Sequence, residues 1–591
     1  MGAEHNIAFA RIKSLFLNRR IGFYIALIAL VSAVYEMGFI KEHEPKEVLF
    51  KVLYTLSICY EAIGIFIRNF IVKTESKKLQ IVDLFFLAFT LFITASEFGI
   101  LDGLVTVDSQ KWLHFAVFYI FIRSYAALKI DFKRVIINPA QLFILSFIAI
   151  IFLGTALLLL PNATYSGISI INALFTATSA VCVTGLIVVD TASYFTPFGQ
   201  SIILFLIQIG GIGIMTFASY FSYFFKGGSS YNNQLILRDM NNAEKIGEVF
   251  HTLKKIIIIT FLIEAIGAIF IFLTLNGSVV KGFSEKLFFS VFHSISGFCN
   301  AGFSTLTHGL NEGNFQFNYP LQLIIAALFI VGGLGFPIVF NLVTYLKLFV
   351  KRKIKALLQY EKERYTPWVV NINTRIVLIT STALTVTGTI LFYIFEYNNT
   401  LVNHNGFGKV VTAFFGAVTP RTAGFNTVDT ASLSFATLMI LFLLMWVGAS
   451  PGSTGGGIKT STFAIATLNF ISLAKGKDRI EVFRREISTL SMRRAFAIIS
   501  LSLLVIGLAI FAIAYFDSEK DLLTIAFECF SAYSTVGLSL GITDALSNPS
   551  KGVIIAVMFI GRVSTLTLLI AVMKKTAYKN YKYPSEEILI N

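Results

Sequence analysis

Apolar runs of about twenty residues recur along the chain, divided by short polar stretches, and each is long enough to cross a bilayer core as a helix. They predict spans near 21–40, 49–70, 81–101 and 112–130. Eight more follow, near 139–160, 198–225, 255–275, 320–348, 375–396, 433–472, 495–516 and 551–573. Between the members of each later pair lies a shorter apolar stretch: 168–180, 284–297, 406–418 and 520–532. These are too short to cross and read as re-entrant segments. The expected fold is all-α and polytopic. An N-terminal four-helix transmembrane bundle occupies 1–135, and four helix–re-entrant loop–helix units occupy 136–591, at about 139–225, 255–348, 375–472 and 495–574.

The four later units are an internal repeat. Each short stretch ends in a related phrase: Ser179 to Leu186 (SAVCVTGL), Ser296 to Phe303 (SGFCNAGF), Val418 to Phe425 (VTPRTAGF) and Ala532 to Leu538 (AYSTVGL). Their glycines, Gly185, Gly302, Gly424 and Gly537, are separated by 117, 122 and 113 residues. Near-equal spacing predicts a pseudo-four-fold assembly built from one chain.

Composition agrees with the span pattern. Of 591 residues 55% are apolar and only 14% charged, with 60 Phe and 22 Tyr; soluble domains run at about 25% charged. That excludes a soluble enzyme, a disordered scaffold and a nucleic-acid module. The net charge of +15 sits in clusters in every second loop, among them Arg19-Arg20, Lys129 to Arg134, Lys347 to Lys355 and Lys475 to Arg494. This is the positive-inside pattern, which places both termini in the cytoplasm of a cell whose cytoplasmic membrane holds the protein. The first apolar run is long enough to stay as an anchor rather than be cleaved. Cys59, Cys182, Cys299 and Cys529 form no CxxC, and the seven His show no paired spacing. No catalytic constellation appears, so the chain reads as no enzyme.

Non-helical backbone at membrane depth is tolerated where it lines a cavity. Four glycine-bearing loops about one axis would aim carbonyls at a dehydrated cation and replace its hydration shell. Glycine reaches φ > 0 at little cost, so successive carbonyls can face one way. The candidate selectivity filter is therefore Val183-Thr184-Gly185, Asn300-Ala301-Gly302, Thr422-Ala423-Gly424 and Thr535-Val536-Gly537. Each second span carries a glycine as well: Gly210, Gly332, Gly448 and Gly561. The third second span is unusually long and holds Gly448 to Ser461 (GASPGSTGGGIKTS). One Pro and five Gly cannot continue a helix cheaply, so a helix broken in mid-membrane is expected. Ile458 stands between Gly457 and Lys459 and no strand precedes them, so no nucleotide site is read there. Lys459 and Arg562 are the two intramembrane cations that stand out, each costing about 2.5–3.5 kcal/mol without a partner, with snorkelling to the interface as the plainer reading of Lys459. Glu528 reads as a partner of a filter's backbone or as half of a structural ion pair, and Glu264 has no evident partner.

On these residues the chain resembles the Trk/Ktr/HKT superfamily of potassium transporters, nearest to its KtrB/TrkH membrane subunits. The phrases are Gly154 to Pro161, Phe175 to Leu186, Thr419 to Asn426, Ser450 to Thr460 and Ser534 to Leu538. The resemblance implies a single-file potassium path, with sodium as coupling ion in some members. It implies an intramembrane gate at 450–460, carried here by Gly452, Gly455, Gly456, Gly457 and Lys459, with Arg562 beneath the filter. It also implies a homodimer on a cytoplasmic RCK-type nucleotide-binding ring, with no nucleotide on this chain. The loops 226–254, 347–374 and 473–494 are the expected docking segments. Asn172 stands where the family often has an acid. The bundle 1–135 is an addition, and its Glu61, Arg68, Asp83, Arg123 and Lys129 weakly resemble a voltage sensor, against which a packing role stands as the plainer reading. The expected function is potassium uptake through a selective, gated pore. The rivals are a sodium or poorly selective cation pathway, and a membrane sensor whose bundle is the working part.

Overall fold

Short polar side chains open the apolar segments where the pattern expects helices to start. Ser169, Asn318, Asn371, Asn405, Ser434 and Ser488 each accept a first-turn backbone N–H, satisfying donors that the helix leaves unpaired. The computed structural model describes residues 19–39, 47–67, isolated positions between 83 and 92, 109–127, 139–212, 249–275, 282–357 and 370–572. Arg68, Lys129, most of the third expected span, 213–225 of the sixth and the termini lie outside them, as do 226–248 and 358–369 of the expected docking loops.

The described helices are α1 (Arg19–Phe39), α2 (Glu47–Phe66), α3 (Ser109–Ala127), α4 (Pro139–Leu158), α5 (Ile170–Val181), α6 (Pro197–Ile212), α7 (Val249–Thr274), α8 (Phe283–Cys299) and α9 (Tyr319–Leu334). They continue with α10 (Phe336–Leu357), α11 (Ile372–Glu396), α12 (Gly406–Val418), α13 (Phe435–Trp446), α14 (Thr460–Ala474), α15 (Thr489–Phe516), α16 (Leu522–Ser534), α17 (Asn548–Val563) and α18 (Thr565–Val572). Five of them are long and apolar enough to cross a membrane singly, and a sixth crossing results if the bent pair α9–α10 counts as one. The chain is a multi-pass, predominantly α-helical membrane protein. A two-residue-turn ribbon, β1 (Glu481–Val482) with β2 (Arg485–Glu486), interrupts the all-α expectation. Phe483 and Arg484 take φ 50° and 62° there, the mirror-turn geometry that suits strand twist.

The second spans depart most from the expected unbroken helices. Gly335 at φ 82° separates α9 from α10, which bend by 104°; Pro337 follows it. Residues 447–459 separate α13 from α14, as the glycine run predicts, and Ser564 at φ 74° separates α17 from α18. Gly335 and Ser564 each lie three residues after a repeat glycine, Gly332 and Gly561, so two units break at the same register.

Contacts divide the chain into two compact units, one holding the described residues of 1–134 with 160–165, the other those of 139–159 and 166–572. In the first, Ala26, Ala29, Ala33 and Ala116 let α1, α2 and α3 close on Tyr54 and Ile58, the small-residue packing that membrane helices favour. Arg123 on α3 donates to both Asp83 oxygens, at 2.9 and 3.1 Å. Buried Glu61 on α2 faces Gly22 of α1. Sequence reading overlooks Glu36, which accepts from the Tyr54 hydroxyl at 2.6 Å and lies 3.0 Å from His114 Nε2. Breaking a buried pair costs about 3–5 kcal/mol. Asp83→Asn is therefore expected to lower the melting temperature of the purified protein, and the double variant with Arg123→Gln to recover most of the loss. Additive losses would show that the pair does not couple.

Candidate ion pathway and gate

The four expected re-entrant stretches are the short helices α5, α8, α12 and α16. Their carboxyl ends run into the four glycine-bearing triplets, so the negative ends of four helix dipoles lie at the triplets. In every triplet the first residue and the glycine share the left-handed region. Val183, Asn300, Thr422 and Thr535 have φ 56°, 61°, 77° and 50°; Gly185, Gly302, Gly424 and Gly537 have φ 89°, 70°, 76° and 93°. The twist is pinned by hydrogen bonds back to each helix end: Thr184 N to Ser179 O, Ala301 N to Ser296 O and Val536 N to Ser531 O, at 2.8–2.9 Å. The third loop is tighter by one residue, with Ala423 N to Thr419 O at 2.9 Å.

The triplets meet one another in a closed order. A Cβ at Gly185 would overlap the Ala301 carbonyl oxygen, at Gly302 that of Ala423, at Gly424 that of Val536, and at Gly537 that of Thr184. Each glycine thus faces the middle carbonyl of the next triplet, and the fourth returns to the first. The repeat glycines of the second spans press on the same helix ends: Gly210 on Val181 O, Gly332 on Phe298 O and Gly561 on Tyr533 O. Gly448 departs from this and packs against Gly456 O, within its own broken segment.

That segment, 447–459, passes directly behind the first residues of the triplets. Gly455 abuts the Thr422 side chain, Gly456 N donates to Thr535 Oγ1 at 2.8 Å, and Gly457 lies against Ser534. Both cations singled out by sequence grip consecutive carbonyls of the loop. Arg562 donates to Thr454 O and, at 2.6 Å, to Gly210 O, while Lys459 Nζ folds back to Gly455 O at 2.5 Å. Lys459 therefore does not reach out toward an interface.

Several features went unread in the sequence. The break at Gly335 cradles the loop: Ser450 N donates to Gly333 O (2.9 Å) and Phe336 N to Gly452 O (3.2 Å). Hydroxyls five or six residues before each glycine brace the triplets. Ser179 and Ser531 accept from Gly185 N and Gly537 N, both at 3.1 Å, and Ser296 and Thr419 donate to Phe303 O and Phe425 O. Their recurrence in the first three phrases and one residue ahead of the fourth was the available signal. Arg421 is a third intramembrane cation, bonded to Ser381 and Thr385 of α11. Lys551, buried in the first turn of α17, donates to Asn172 Oδ1 at 3.2 Å. Two expectations need correction. Glu528 meets the Ser539 hydroxyl beyond its triplet rather than the filter backbone. Glu264 has partners after all: Gln208 Nε2, 3.1 Å from both its oxygens, and the Cys299 thiol at 3.7 Å.

The TrkH family model, described as a cation transport protein, matches residues 108–582. The chain belongs to the TrkH cation transport family. Within it, the chain is 36% identical over 458 residues to Ktr system potassium uptake protein B of Bacillus subtilis, covering 77% of this chain and 97% of the relative. Potassium/sodium uptake protein NtpJ of Enterococcus hirae is also 36% identical, over 462 residues with the same coverage. The fold is similar to that of the crystal structure of the potassium transporter TrkH from Vibrio parahaemolyticus. That likeness has a TM-score of 0.59 at 18% identity, covering 83% of this chain and 97% of that one. As a TrkH-family protein the chain is a transporter rather than an enzyme.

The bracing hydroxyls give a direct test. Ser531→Ala removes one bond to the Gly537 amide, and one hydrogen bond is worth about 1 kcal/mol. Discrimination between potassium and sodium in vesicle flux is expected to fall about fivefold. Unchanged discrimination would remove Ser531 from any filter role.

Proposed function

We propose that the chain takes up potassium through a pore lined by Val183, Thr184, Gly185, Asn300, Ala301, Gly302, Thr422, Ala423, Gly424, Thr535, Val536 and Gly537. The observation that carries this reading is the closed order of the four triplets, each glycine facing the next middle carbonyl. Alternating left-handed residues turn backbone oxygens to one side, and a ring of oxygens is what a dehydrated cation requires. The four helix–loop–helix units supply one quadrant each, giving pseudo-four-fold symmetry in a single chain. Relatives named for potassium uptake, and in one case for potassium and sodium, agree with this cargo. Sodium is the second ion to test.

Gating falls to 450–460. Gly452, Gly455, Gly456 and Gly457 let the loop cross behind the filter, and Lys459 and Arg562 hold its carbonyls. Two cations below the filter oppose an incoming cation while the loop is docked. A homodimer resting on a cytoplasmic RCK-type ring is the expected assembly, with the termini and basic loops on that side. The bundle over 1–135 is an accessory unit. Its deep Arg123 is held by Asp83, and one charge crossing the full field is worth only about 2.3 kcal/mol per 100 mV.

Two outcomes check the reading in proteoliposomes. Gly185→Ser, Gly302→Ser, Gly424→Ser and Gly537→Ser each place a side chain at φ > 0 against a neighbouring carbonyl, and are expected to weaken potassium uptake and sodium exclusion. Wild-type selectivity in all four would sink the pore assignment. Shortening 451–458 is expected to raise rubidium flux severalfold, with Arg562→Gln giving a smaller rise. Unchanged flux in both, with folded protein, would remove the gate.

A further inference from the structure

Three successive glycines of the gate loop lie on three hydroxyls. A Cβ at Gly455 would overlap Thr422 Oγ1, one at Gly456 would lie 2.5 Å from Thr535 Oγ1, and one at Gly457 would lie 3.3 Å from Ser534 Oγ. Any side chain there would push the loop away. Glycine at all three positions therefore brings the loop backbone onto these oxygens rather than merely past them.

The oxygens are not all satisfied. Thr535 Oγ1 accepts the Gly456 N–H at 2.8 Å. Thr422 Oγ1 lies 3.1 Å from the end of the Asn300 side-chain amide; with the amide nitrogen turned to the Phe298 and Phe329 carbonyls, Thr422 is the donor and Asn300 occupies none of its lone pairs. Ser534 Oγ is fully buried and has no partner among the described residues. A buried hydroxyl without a partner has to be accounted for, and a bound cation is one way to do so. All three belong to, or directly precede, the first residues of two neighbouring triplets, at the end of the filter nearest the gate.

We propose that Thr422, Thr535 and Ser534 form a binding site for a dehydrated monovalent cation, potassium or rubidium, immediately below the filter, and that the docked loop covers it. The Gly456 N–H then stands where the cation would stand, giving Thr535 a positive dipole in place of a positive charge. Loop and ion cannot hold the same oxygen lone pairs together, so their binding is competitive. By linkage, an ion that binds only the loop-free state shifts the equilibrium toward it. The permeant ion thus favours its own open gate, before any cytoplasmic subunit acts. This inference rests on the pore and gate reading above and adds to it an ion site outside the carbonyl ring.

Amide hydrogen exchange of the full-length protein tests it, read on peptides covering 447–459 in potassium against choline. In wild type, potassium at ten times its dissociation constant is expected to speed exchange of the Gly456 amide about tenfold. Thr535→Ser keeps the acceptor and is expected to keep that response. Thr535→Val is expected to exchange fast in both salts, with a ratio near one. Ser534→Ala removes a hydroxyl that bonds no other group among the described residues, so folding is not at stake. It is expected to leave exchange in choline unchanged and to raise the half-effective potassium concentration severalfold. Exchange in wild type that ignores or is slowed by potassium would overturn the site, as would a full response in Thr535→Val or an unshifted Ser534→Ala. Rubidium flux separates this from the parent reading. If shortening 451–458 raises flux while potassium leaves exchange untouched, the gate stands and the site falls; if shortening changes nothing, both fall.

Discussion

A cation inside a bilayer must be given oxygens in place of water, and backbone carbonyls are the oxygens a chain always carries. Turning them to one side requires residues in the left-handed region, where a side chain is strained by about 1–3 kcal/mol. Val183, Asn300, Thr422 and Thr535 all bear that strain. They can do so because their surroundings leave no alternative. Helix ends hold them from one side, hydroxyls brace the glycines, and three second-span glycines let backbone press against backbone. The twist of four short loops thus accounts for much of the glycine and hydroxyl pattern around them.

The broken second span of the third unit draws on all four units. The first offers the Gly210 carbonyl, shared through Arg562; the second supplies the cradle at Gly333 to Phe336; the third is the loop itself; the fourth brings Arg562 and Thr535. Its hold is made mostly of single hydrogen bonds to backbone groups. Such contacts exchange readily for others, which suits the gating role proposed for the segment. Gly448 explains why this unit differs: its backbone packs on the loop instead of on a helix end.

The short apolar helices α5, α8, α12 and α16 and the triplets that follow them were legible in the sequence because length and spacing encode them directly. The break at 447–459 was legible for the same reason, since five glycines and a proline leave little choice. The breaks at Gly335 and Ser564 were not. A single glycine amid apolar residues reads as close packing, and only the meeting of Gly335 with Pro451 and Gly452 reveals its use. Arg421 and Lys551 were hidden because their partners, Ser381, Thr385 and Asn172, are neutral and far away in sequence. Glu264 looked solitary because Gln208 carries no charge to match it. Long-range neutral partners leave no trace in charge patterning.

In the proposed pore, carrying four unequal quadrants on one polypeptide has a consequence for how the pathway can be shut. In a ring of four identical subunits, any mobile element exists four times, and four copies must share the axis without colliding. Here the thirteen residues from Val447 to Lys459 occur once. A single hinged strip can lie across the whole opening, and the other three quadrants are free to specialise as its seat, its latch and its anchor. Duplication within one gene thereby permits a stoichiometry of one moving part to three fixed ones, which exact rotational symmetry forbids.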